Sequence, residues 1–167
     1  MGEGWGGGGL SRRLLILVPL TIAACGFTPA LGPGGAAEGL QGSIRAANPA
    51  DKNAFDLVER LEERIGRPET ARFDLTYTIT TRAIGVGITP DNAITRYNLT
   101  GAVDWTLTER ATATRVAGGR VENFTSYSAT GSTVAGLAAE EDAAFRLMRI
   151  LADQIVSRLI ATSGDWS

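Results

Sequence analysis

The spacing of apolar side chains changes period twice along this chain, and that order of periods limits the folds open to it. Asn48-Pro49 reads as a turn and Asp51 as a helix cap. Ala54, Leu57, Val58, Leu61 and Ile65 then recur at helical spacing, and Gly66 and Pro68 stop the helix. Asp56 and Arg60 stand four apart, the separation at which helical charges pair. Next, Phe73, Leu75, Tyr77 and Ile79 alternate with Asp74, Thr76, Thr78 and Thr80, which predicts a strand with one buried face. A second alternating run sets Tyr97, Leu99, Val103, Trp105 and Leu107 against Arg96, Asn98, Thr100, Asp104 and Thr106, with Gly101 weakening its middle. Residues 83–92, holding Gly85, Gly87, Pro90, Asp91 and Asn92, read as a loop with short extended pieces. A third long strand is expected over 115–129, with Gly118-Gly119 marking a bulge. The helical period then returns over 137–161, with Phe145, Met148, Ala152, Ile155 and Leu159 as one stripe and Arg146, Arg149, Asp153 and Arg158 facing away. With a weak strand over 40–46, the predicted class is α+β: a two-layer sandwich in which a mainly antiparallel four-stranded sheet carries two helices on one face.

Composition narrows function more than fold. The chain has 167 residues, enough for one ordinary domain. A net charge of -2 and a pI near 5.2 argue against nucleic-acid binding driven by counterion release. The chain has no histidine, which excludes Ser-His-Asp and Cys-His catalysis and zinc sites of the usual kind. No cofactor is expected. One cysteine allows no internal disulfide.

The position of that cysteine supplies its reason. Arg12 and Arg13 precede an apolar run over 14–24, shorter than the about 20 residues a spanning helix needs and interrupted by Pro19. The run ends in Ile22-Ala23-Ala24-Cys25, which resembles the lipobox of bacterial lipoproteins: an apolar residue and two small ones flanking signal cleavage, then the thiol that takes the lipid. The expected organisation is a signal peptide over 1–24, of which the glycine-rich 1–9 reads as an upstream extension. A lipidated flexible tether over 25–39 follows, then a folded domain over 40–162 and a tail over 163–167. Gly26, in place of an aspartate, resembles lipoproteins sent on to the outer membrane.

Several segments in this order are similar to one family. They are Gly39-Leu40-Gln41-Gly42-Ser43-Ile44, Thr95-Arg96-Tyr97-Asn98-Leu99, Ser126-Tyr127-Ser128, 137–143 and Leu151-Ala152-Asp153-Gln154-Ile155. They resemble the alphaproteobacterial branch of the LptE family of lipopolysaccharide-assembly lipoproteins. The resemblance implies a non-enzymatic, periplasm-facing protein anchored by lipid to the outer membrane. Its implied place is as a plug in an LptD-like β-barrel translocon, where it supports barrel assembly and lipopolysaccharide insertion. Some family members touch lipopolysaccharide phosphates through basic residues in a strand-connecting loop; Ile88-Thr89-Pro90-Asp91-Asn92 here has an acid and no base, so none is carried over.

Arg82, Arg96, Arg115 and Arg120 remain candidates for phosphate contact because guanidinium pairs well with phosphate. The commoner role of such residues is as solubilising strand arginines. Glu140-Glu141-Asp142 reads as a charge cluster at the start of a long helix. Two other readings stay open: a free-standing lipoprotein that binds a lipid or envelope component in an internal pocket, and a carboxylate hydrolase in which Asp74, Asp104 and Glu122 converge in a cleft.

Overall fold

A computed structural model describes residues 32, 35, 37, 39–90, 93–129 and 131–166. The described elements run β1 (Ile44–Ala46), α1 (Lys52–Ile65), β2 (Phe73–Ile88), β3 (Ile94–Glu109), β4 (Arg115–Ser128), α2 (Thr133–Thr162) and a short 3-10 turn (Ser163–Asp165). The sheet order is β1-β2-β3-β4, and both helices pack on one face, as the alternating strands require. The sheet is mixed. β1 pairs parallel to β2, Ile44 opposite Phe73, with α1 as the crossover that parallel strands need.

α1 starts where its cap dictates: Asp51 accepts a 2.8 Å hydrogen bond from the Ala54 N–H. It ends at Gly66, whose φ of 78° favours glycine, and whose N–H donates to the Glu62 carbonyl. The expected Asp56–Arg60 pair does not form. Asp56 is buried and takes Lys52 at 2.9 Å, while Arg60 reaches across to α2 and holds both carboxylate oxygens of Asp153 at 3.0 Å. Asp153 therefore does not face away from the other helix.

The segment read as a loop over 83–92 is mostly strand. β2 continues to Ile88 and pairs with β3 beyond an irregularity at Gly85 and Gly87. Gly85 is there for space: a Cβ on it would stand 2.9 Å from the Ile94 side chain. The hairpin closes through mutual bonds between Thr89 and Ala93. The β4 irregularity also moves. It falls between Leu107/Ala117 and Thr108/Arg115, at Val116 and not at the glycine pair, because Gly118 and Gly119 stay in register with Thr106 and Trp105.

α2 begins four residues before the 137 expected from the sequence, at a Ser132 cap. Met148, Ala152, Ile155 and Leu159 are buried as expected, but Leu147, Leu151 and Val156 are equally buried and Phe145 only partly. The broader stripe follows from the contact: α2 packs on both α1 and the sheet. At the sheet, Leu147 and Leu151 sit directly over Gly101, where a Cβ would meet Leu147 at 2.9 Å. Glu140, Glu141 and Asp142 lie beyond the first turn of α2, so they do not cap its dipole; Asp142 pairs with Arg146 at 2.8 Å. Trp105 is core, at 4% exposure, with its indole N–H buried and without an acceptor among the described residues.

Candidate interaction surface

The strand alternation that puts Leu75, Val103 and Val121 against the helices puts Thr76, Thr78, Asp104 and Arg120 on the opposite face, and no described element covers that face. It is polar and internally paired. Arg120 binds Asp104 at 2.7 Å and Glu122 at 3.5 Å, and the Thr100 hydroxyl donates to the Arg82 carbonyl at 3.0 Å. Two shallow hollows share Arg120. One of about 420 Å3 also takes in Arg82, Thr80 and Phe124; the other, about 470 Å3, takes in Arg115, Thr78 and Asp104. Both open to solvent.

The structure therefore brings all four arginines onto one face: Arg82, Arg115 and Arg120 line the hollows, and Arg96 lies nearer the hairpin tip, opposite Gly87 and Ser128. Arg120 is held by two carboxylates and is the least available to an added phosphate. The three carboxylates of the hydrolase reading do not converge. Asp74 pairs with Arg110 at 3.2 Å, whereas Asp104 and Glu122 share Arg120, and by strand rise Asp74 lies about 13 Å away along the sheet.

Two features escaped the sequence reading. Phe124 shares the phase of Arg120 and Glu122 and stands on the polar face, 57% exposed; counting in twos from Arg120 locates it. At the end of the molecule where the β2–β3 hairpin closes and α2 begins, Ile84, Val86, Ile94, Val134 and Leu137 are all exposed. The hairpin members were hidden by the loop reading.

Between the two layers there is little room. Leu57, Leu61, Leu147, Leu151 and Ile155 are fully buried there, and the hollows lie on the outer face and along the sheet edges. None of the described helices is long and apolar enough to cross a membrane. Cys25 and the cleavage flank Ile22, Ala23 and Ala24 lie outside the described residues, as do Asp91 and Asn92 of the strand-connecting loop.

Residues 43–159 match the model of a family described as LptE, lipopolysaccharide-assembly. No curated protein matches the chain. Among solved structures, a lipoprotein from Caulobacter crescentus superposes with a TM-score of 0.66 at 22% identity, covering 79% of this chain and 98% of the other. The rare lipoprotein B of Shewanella oneidensis gives 0.56 at 15% identity, over 72% and 93%. A minor lipoprotein from Acinetobacter baumannii gives 0.52 at 17%, over 71% and 89%. At these identities the likeness is one of fold.

Proposed function

Since the chain belongs to the LptE lipopolysaccharide-assembly family, we propose that it is an outer-membrane lipoprotein, anchored through Cys25, that plugs an LptD-like β-barrel and supports its assembly and lipopolysaccharide insertion without catalysing a reaction. The observation that carries this reading is the sheet face that no described element covers, a row of threonines with Arg120 paired to Asp104 and Glu122. Such a face suits the polar, water-lined interior of a barrel and not lipid. Cleavage after Ala24 belongs to the same proposal; the tether expected over 25–39 is shorter than that, because Ala37 is already buried in the core, so the link from Cys25 to the domain ends before it.

Lipopolysaccharide itself has a natural place at the hairpin end. Ile84, Val86 and Ile94 offer aliphatic surface there, and Arg82 and Arg96 flank it without a carboxylate partner among the described residues. Acyl chains and phosphates would engage the two kinds of group. The free-standing binder is the weaker reading, because it needs an internal pocket where Leu147, Leu151 and Ile155 already fill the space.

The test is to tag the chain at its C-terminus in its native host, extract membranes in mild detergent and identify stoichiometric companions by mass spectrometry. One large outer-membrane barrel supports the plug, and Thr78→Glu with Arg115→Glu should lower its yield. Recovery of the lipidated chain alone sinks the plug in favour of the binder.

A further inference from the structure

On its far side the sheet stops at β4, and no other described strand pairs with that edge. Antiparallel pairing with β3 uses every other residue of β4. The bond from the Ala129 N–H to the Thr95 carbonyl marks the odd-numbered set as the one turned toward β3. The Phe124 N–H belongs to the other set, and among the described residues it is met by the adjacent Asn123 side chain alone, at 2.8 Å. Gly118, Arg120, Glu122, Phe124 and Ser126 thus turn backbone donors and acceptors outward, a template for one more strand.

The side chains along this edge are self-complementary in one register. Let a second copy pair its β4 antiparallel about a twofold axis at Val121. Arg120 then faces the second copy's Glu122, and Glu122 faces its Arg120. Phe124 falls opposite Gly118, over whose backbone the Arg115 guanidinium lies, so the ring would meet that cation in place of a side chain of residue 118. A shift by one step in either direction sets Arg120 against Arg120 or Glu122 against Glu122. On the helix side of the same edge, α2 exposes Ile150, Gln154 and Arg158 beside Glu122, so two copies of α2 would border the junction.

We propose that β4 is a self-association edge, joining two four-stranded sheets into one continuous eight-stranded sheet through reciprocal Arg120–Glu122 pairs and Phe124 on Gly118. The occupant is a second copy of this chain because the charge pattern pairs with itself. The inference rests on the β4 edge and is independent of the barrel reading; it concerns chains outside a barrel. Asn123 must release the Phe124 N–H as the strand is added.

Sedimentation equilibrium of the full chain in density-matched detergent tests this. The wild type should dimerise reversibly. Arg120→Glu and Glu122→Arg alone should each weaken the dimer by roughly tenfold or more, while R120E with E122R should return it to within about threefold, since each swap exchanges attraction for repulsion twice. Glu122→Pro removes an outward N–H that the monomer does not use, so it should abolish the dimer with the circular dichroism spectrum unchanged. A chain that stays monomeric at every concentration overturns the proposal. So does a dimer that ignores both single reversals, or one that the double swap fails to restore.

Discussion

At Gly101 the sheet gives up a side chain so that α2 can sit directly on it. Leu147 and Leu151 occupy the space a Cβ would need, and both are fully buried, so neither has anywhere to go. Gly101→Val should therefore destabilise the fold by about 1–3 kcal/mol through overpacking. Leu147→Ala should cost roughly 2–5 kcal/mol by leaving a cavity in the same place. Urea denaturation midpoints at unchanged slope check both; a variant at Gly101 as stable as the parent contradicts the packing described. The sequence showed this glycine only as a weak point in a strand, since the residues that need it lie on a helix more than forty positions later. Local chemistry was easier to read. Asp51 and Gly66 bound α1 as expected because caps act within one turn. The partner of Arg60 was not legible, because Asp153 becomes its neighbour only when two helices pack.

Between elements, that same contact joins α1 to α2. Arg60 forks onto Asp153, and Glu63 takes both Arg60 at 2.9 Å and Arg149 at 3.2 Å. The hydrogen bond from Arg60, aided by Arg149, holds the Glu63 carboxyl below its ordinary value near 4.5. A depressed carboxylate stabilises the fold above its unfolded value and loses that contribution as pH falls through its folded value. The melting temperature of the wild type should thus exceed that of Glu63→Gln at pH 7, and the difference should shrink below pH 4.5. A gap independent of pH would refute the assignment. Asp153→Asn, removing the charge from a partly exposed bidentate pair, should cost about 1 kcal/mol by thermal denaturation. Element boundaries failed in the sequence reading for one physical reason. Gly85, Gly87 and Gly118-Gly119 were read as turn or bulge residues, whereas Gly85 makes room for Ile94 and the glycine pair stays in register. Glycine signals either a bend or a close approach, and only the neighbour decides between them.

For the whole molecule, the order of periods was enough to place both helices on one face of a four-stranded sheet, because a one-sided sheet must be covered once. It did not reveal that β1 runs parallel to β2, since a three-residue strand carries almost no pattern. The polar outer face was legible as alternation; its pairing of Asp104 and Glu122 through Arg120 depended on register. A plug enclosed by a barrel must be surrounded, so both layers should meet the same wall. Photo-crosslinkers placed in the native host at Thr78 on the outer sheet face and at Glu59 on the exposed side of α1 test this directly. The plug account predicts that both positions crosslink to one outer-membrane barrel, at alternate, inward-pointing residues of its strands. Crosslinks from one face only, or to no barrel at all, would contradict it.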